Sequence, residues 1–401
     1  MEALPATGIA THAQETAGYR AALRDWLACA VAGSREPAAL AAGAAGEGLL
    51  ERVAWAGSAG HVLDYDDTYS PGLVHASAAV APVALLLGAE LGRDVGAVLD
   101  AYAAGFETTA HLARAGHPAL YEGGWHPTAV CGTVGAAVAG SRLHGLSTEQ
   151  ADAAVALALL RAGGLRSAFG SDGKALQVGL AAAAGLHAVR IAQGGARVPL
   201  AAVASGPAGF ETVFGFTWPA GGDGRCAIAE NWIKAYPCCL ATHSTIEAGL
   251  RLREKPQPPA GVTVHVHPLA RAAAAYDDVS GGLQAKFSIP YLAAFALLRG
   301  APTVADFAGV DDEVRDLARH VSVRTDPALS EMEARVEIDG GRSAQVTSPL
   351  GSPGRPMDER ALLGKVRELA GDRLDGVLDD PAAPAADVVA GAGLVDPPGR
   401  P

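Results

Sequence analysis

Lysine is scarce in this chain: Lys174, Lys234, Lys255, Lys286 and Lys365 are the five present, against 26 arginines. Where arginine is the default cation, a retained lysine is informative, because it offers a compact charge with a tunable pKa; codon bias would produce the same ratio. Aromatic residues are also sparse, at 5% of the 401 positions, and charged residues reach only 18%. The five cysteines, Cys29, Cys131, Cys226, Cys238 and Cys239, are odd in number and show no CxxC spacing. That argues against a disulfide framework or a structural zinc site. The start, MEALPATGIATHAQ, lacks the basic opening and apolar run of a signal peptide. Apolar runs such as AVAPVALLLGAEL are short for a bilayer span and contain Pro or Gly. A net charge of −12 disfavours nucleic acid and anionic membranes as partners. The expectation is a soluble cytosolic protein.

What the chain has in abundance is alanine and glycine in helical patterns. From residue 12 to about 200 the sequence reads as helices separated by short Gly/Pro/Ser breaks, packed through small side chains. After about residue 235 the texture changes. GVTVHVHP, HVSVRTD, ARVEIDGG and RSAQVTSP alternate like strands, and IDGGRS reads as a hairpin turn. From Met357 the pattern is helical again. The expected fold is mainly α: a large helical domain (1–235), an α+β lid (236–356), and a C-terminal return to the helical body (357–401). The Pro/Ala-rich tail from 381 onward is expected to be loosely held.

One short stretch runs against the composition. HVLDYDDTY places Asp64, Asp66 and Asp67 together at the end of a helical run, where the helix field already disfavours negative charge. Compensating cations are required nearby. Three further segments set a polar residue at a helix start: His75 in LVHASAAVAP, where Ser77 could cap, His126 before Pro127 in GGWHPTAV, and Lys174 in FGSDGKAL. Converging helix N-termini would make an anion site, and their field keeps a histidine neutral and usable as a base. Taken singly, His75 and His126 read more readily as caps or packed surface residues than as catalysts, and SDGK is too short for a phosphate loop. His61, His111, His117, His144, His187 and His320 show nothing beyond an ordinary helix surface. His265 and His267 share a strand face without a third metal ligand. NWIKAYPCCLATH brings Lys234, Cys239 and His243 to the junction between the two textures, a favoured place for a cleft. Tyr291, in FSIPYLAA, reads either as a phenol over that cleft or as a core tyrosine.

In this order, HVLDYDDTY…VHASAAVAPVALL, GGWHPTAVCGTVGAAVAGSRL, LRSAFGSDGKALQVGLAAAAGL, KAYPCCLATH and AKFSIPYLAAFALLRG closely resemble the MmgE/PrpD family, over about residues 15–375. That family includes 2-methylcitrate dehydratase, cis-aconitate decarboxylase and iminodisuccinate epimerase. The resemblance implies a helical domain with a smaller α+β lid, a site between them, a homodimer, and no metal or organic cofactor. Its catalytic residues would fall on Asp64, His75, His126, Lys174, Lys234 and Tyr291. Thr68, Cys239 and His243 would contact a small polycarboxylate substrate. Cys239 stands where decarboxylase members carry histidine, which favours water loss over loss of carbon dioxide. Three other readings compete: a DxDD terpene cyclase, poorly supplied with aromatic rings; a metal hydrolase using Asp66 and Asp67; and a non-catalytic helical scaffold.

Overall fold

The computed structural model describes residues 13–217, 226–253, 259 and 261–398. Lys255 and the first twelve residues lie outside them. The chain is mainly α-helical. The helices that matter for the site are α1 (Ala13–Gly33), α2 (Leu49–Val62), α3 (Ala76–Glu90), α4 (Val95–Gly116), α5 (Pro127–His144), α6 (Thr148–Leu159) and α7 (Gly173–Gln193). Helix α7 is long and apolar enough to cross a membrane by length and composition, but more than half of that stretch is buried, in contact with α2, α5 and α6.

Small residues set how closely these helices approach. A Cβ added at Gly179 of α7 would come within 2.1 Å of the Ala54 carbonyl oxygen and 2.3 Å of Ser58 Oγ on α2. Only glycine permits that crossing, and the crossing carries Lys174 to the C-terminal end of α2. Interiors built this way leave little slack, since protein cores pack as densely as organic crystals.

The four expected strands form one sheet: β3 (Val262–Val266), β4 (Val321–Thr325), β5 (Ala334–Ile338) and β6 (Arg342–Val346), in the order β4-β3-β5-β6. A two-residue pair, β1 (Thr68–Tyr69) with β2 (Asn231–Trp232), ties the acidic stretch to the segment leading into Lys234. Strands β5 and β6 are antiparallel, and Gly340 and Gly341 between them adopt φ of 81° and 78°. That left-handed backbone is why the hairpin uses two glycines. One face of the sheet, with Val262, Val264, Val266, Ala334 and Val336, is buried against α8 (His243–Leu252) and α9 (Ile289–Leu298). Helix α10 (Asp312–Ala318) packs on α9, and α11 (Glu359–Ala370) packs on α1.

Two local expectations need correction. The tail beyond residue 381 is held: α12 (Ala385–Gly391) packs on α3, buries Ala385, Val388 and Val389, and follows a bond from the Val95 N–H to the Ala383 carbonyl. Ser77 does not cap α3; its hydroxyl instead meets the Tyr102 hydroxyl at 2.5 Å. The buried apolar tail and the buried hydroxyl pair each satisfy groups that sequence reading left open.

Candidate active site

Helix α2 ends at Val62, and two residues later Asp64 takes a left-handed φ of 53°. Aspartate is among the few non-glycine residues that tolerate this conformation. The bend turns the chain off the helix axis, so that Lys234 Nζ reaches both the Asp64 backbone carbonyl at 2.9 Å and Oδ1 at 2.8 Å. Lys174 Nζ donates to the same Oδ1 at 3.1 Å. Burial alone would raise the Asp64 pKa, but the two ammonium groups outweigh it and hold the carboxyl well below its usual range. Burial likewise works against a charged Lys234, and the Asp64 and Asp66 carboxylates overcome it and raise its pKa.

The scarce lysines converge here. Lys286 Nζ donates to the Leu63 carbonyl at 2.6 Å, and Lys365 Nζ to the Tyr65 carbonyl at 2.8 Å. All four described lysines are buried, and each contacts the stretch from residue 62 to 65. Burial lowers Lys286 to about 8. The acids at the end of α2 therefore meet the cations they require.

A small cavity of about 60 Å³ opens beside this cluster. Asp64, Thr68, His75, His126, Lys174 and Cys239 line it, with Leu73, Tyr121, Phe169, Leu240, Ala241, Ala273, Phe287 and Met332 completing its walls. His75 is the residue just before α3 and His126 the one before α5, with Pro127 at the first helical position; Lys174 is in the first turn of α7. The three helix starts do meet at one place. Both imidazoles are neutral: burial depresses His75 to about 3 and drives His126 well below the usual range, with Lys174 adding to the latter. Lys174 Nζ spends a second N–H on His61 Nε2 at 2.9 Å. Of an ammonium's three donors, one remains for a ligand.

Three expectations about this site change. His61, read as an ordinary surface histidine, is fully buried at its centre, with Nδ1 at 2.8 Å from Asp66 Oδ2. The available signal was position: it opens HVLDYDDTY, one turn before Asp64. Tyr291 is away from the cavity; its hydroxyl accepts from the Asp311 N–H at 3.0 Å, within the packing between α9 and α10. His243 is likewise off the cavity, buried with its ring edge against Tyr236 and Nε2 at 3.4 Å from the Cys238 carbonyl. In both cases helix α8 or α9 turns the side chain into its own core.

Asp66 accepts from His61 Nδ1 and from His75 Nδ1, the latter at 3.1 Å. Asp67 is buried away from the cavity, held by Asn231 Nδ2 at 2.9 Å and pushed up to about 8 by desolvation. Burial raises the Cys239 thiol to about 11, so it stays protonated. His61, Asp66 and His75 also bring metal-ligand-type atoms within 4.8 Å of one another. Their hydrogen bonds already satisfy both Nδ1 atoms, and the Lys174 ammonium on His61 Nε2 would repel a cation placed there.

Comparison with known proteins now bears on this arrangement. Residues 50–219 match the MmgE/PrpD N-terminal domain and residues 236–381 the MmgE/PrpD C-terminal domain. The chain belongs to the MmgE/PrpD family. It is 28% identical to a cis-aconitate decarboxylase of Aspergillus terreus over 361 residues, covering 78% of this chain and 72% of the relative. It is 28% identical over 298 residues to the cis-aconitate decarboxylase of Mus musculus, covering 68% of this chain and 60% of that one. To the Homo sapiens cis-aconitate decarboxylase it is 34% identical over 143 residues, covering 34% of this chain and 29% of the relative.

Proposed function

We propose that the protein is a cofactor-independent lyase that eliminates water from a small polycarboxylate or related 3-hydroxy acid. The observation that carries this reading is one cavity holding two neutral imidazoles and one ammonium against otherwise largely apolar walls. Breaking a C–H bond beside a carboxylate needs a base for the proton and donors for the oxygens that gain charge. His75 and His126 divide those tasks, and Lys174 binds a carboxylate. Lys234 and Asp64 hold Lys174 in place, and Thr68 and Cys239 contact the substrate.

A second reading, decarboxylation, is supported by the names of the relatives. There the bond to a carboxylate breaks, carbon dioxide leaves, the electron pair passes into the neighbouring conjugated carboxylate, and the carbon is protonated. The Cys239 thiol favours the first reading, because it supplies no imidazole at the position where decarboxylase members carry one.

The test is an assay with EDTA present against 2-methylcitrate, citrate, cis-aconitate and iminodisuccinate, with products identified by NMR. Loss of water from a hydroxy acid is expected. Release of carbon dioxide would move the assignment to the second reading, and inactivity restored by a metal would sink both. The proposal includes a homodimer. Leu160, Leu165 and Leu180 are 62%, 52% and 64% exposed and adjoin a groove lined by Arg161, Gly164 and Gln177. Light scattering should show a dimer that Leu180→Glu weakens.

A further inference from the structure

The two cavity imidazoles are backed by partners of opposite kind. Behind His75 stands Asp66, whose Oδ2 lies 3.1 Å from His75 Nδ1. A carboxylate only accepts; Asp64 Oδ1 lies farther off, 3.6 Å from Nε2 and beyond hydrogen-bond reach, so the nearer Asp66 takes the hydrogen on Nδ1 and Nε2 keeps its lone pair. Behind His126 stands Gln177, with Nε2 at 2.7 Å from His126 Nδ1. Leu165 decides which end of that amide faces the ring. Its N–H donates to Gln177 Oε1 at 2.9 Å, and its carbonyl accepts from Gln177 Nε2 at 3.2 Å. A backbone N–H cannot accept, so oxygen must face it and the amide cannot be turned over.

Leu165 itself is pinned. The His126 N–H donates to the Gly164 carbonyl at 2.9 Å, and the Arg166 N–H donates to the Gly124 carbonyl at 3.0 Å. Gly164 adopts φ of 127°, and a Cβ there would fall 2.7 Å from Ala129 Cβ and 3.2 Å from Gln177 Oε1. Glycine therefore keeps the amide's seat open. The second N–H of Gln177 points at His126 Nδ1, which must accept it, leaving the ring's own hydrogen on Nε2.

We infer that Gln177 is a positioning residue that fixes His126 as a hydrogen-bond donor, while Asp66 fixes His75 as the base, so that the two histidines hold opposite tautomers. This rests on the lyase reading above. In water elimination, His75 Nε2 takes the carbon-bound proton and that electron pair flows toward the adjacent carboxylate. The His126 Nε2–H and Lys174 stabilise the charge there. The carbon–oxygen bond then breaks, and His75 returns its proton to the departing hydroxide as water, restoring the neutral ring. A neutral imidazole at a helix start acts here as an electrophile, the role the physics of such positions favours.

Imidazole ¹⁵N spectra of the substrate-free protein test the assignment without any assay, with signals identified against His126→Asn and His75→Asn. His126 is expected with its proton on Nε2 and His75 with its proton on Nδ1. Gln177→Glu, which offers a second acceptor in place of the donor, should move the His126 proton to Nδ1. It should also lower kcat by about 100-fold or more, with KM changed by less than about threefold. Gln177→Met, which removes the amide but keeps the length, should give a mixture of His126 tautomers. A His126 proton on Nδ1 in the unaltered protein would overturn the inference, as would a tautomer switch in Gln177→Glu with kcat unchanged. Inactivity of the unaltered protein on every carboxylate would instead remove the lyase reading, while the spectra would still decide the tautomers.

Discussion

On one wall of the cavity stand Asp64, His75, His126 and Lys174, all from the helical region before residue 217. On the other stand Cys239, Leu240, Ala241, Ala273, Phe287 and Met332, from the region that carries the sheet. The first wall is built by three helix starts, where unsatisfied N–H groups and a positive field favour neutral imidazoles and bound anions, together with the bend that follows α2. The second is built by loops and helix ends that offer one thiol and apolar surface. On the proposed reading, proton transfer and charge belong to the helical region, and the shape that a substrate must fit belongs to the other. Changes in the first should act on kcat, and changes in the second on KM and substrate choice.

The comparison breaks most severely at Asp64. Asp64→Ala leaves Lys174 and Lys234 buried without their shared carboxylate, which should cost about 3–5 kcal/mol of stability and abolish turnover. Urea denaturation together with an assay reads both effects. Next come His126→Ala and Lys174→Ala, each expected to lower kcat by about 100-fold to 10,000-fold. Far-ultraviolet circular dichroism should stay unchanged, because Lys234 still compensates Asp64. Near-normal rates in either variant would remove the chemistry from this wall.

Acid should act on the same wall through linkage. His75 and His243 have folded pKa values of about 3, set first by desolvation, and His61 and His126 are shifted the same way. Below the ordinary histidine pKa the unfolded chain binds protons that the folded chain refuses, so stability falls as pH falls. Each such histidine contributes about 1.4 kcal/mol per pH unit between about 6.5 and its folded value. Asp67, raised to about 8, opposes this, together with Asp25 and Asp152, whose carboxyls burial also raises. The urea midpoint should drop clearly between about pH 7 and about pH 5, and His243→Asn should make the drop shallower.

On the apolar wall the effects shrink. Met332→Ala or Phe287→Ala should raise KM by about tenfold, as loss of buried contact to a substrate predicts, with kcat nearly kept. The smallest change is expected for Tyr291→Phe, which removes one hydrogen bond, to the Asp311 N–H. It should cost about 1 kcal/mol of stability and leave turnover untouched; a loss of rate would return the phenol to the reaction.

Much of the helical wall was legible because its residues sit at places with a local physical meaning. His126 before a proline, His75 ahead of an alanine run and Lys174 after a glycine turn are readable as helix starts, and three acids in a row demand cations. The four strands and the two-glycine hairpin were equally plain from alternation. His61 was not, because a histidine in the last turn of a helix says nothing about which face is buried. Tyr291 and His243 were misplaced for the converse reason: both lie in segments that border the cleft, and only the packing of α8 and α9 turns them away. Gln177 carries no signal of its own; its meaning arises from Leu165, twelve residues earlier, folding back against it.

The bend at Asp64 also bears on the order in which the molecule can be made. Its carboxylate and the carbonyls beside it are emitted early in synthesis, while the lysines that satisfy them arrive at positions 174, 234, 286 and 365. Until Lys174 and Lys234 have left the ribosome, the Asp64 carboxylate lacks its charge partners and has reason to stay in water. The cavity is thus a late product of translation, complete only after Met332, the last residue of its lining, has been added.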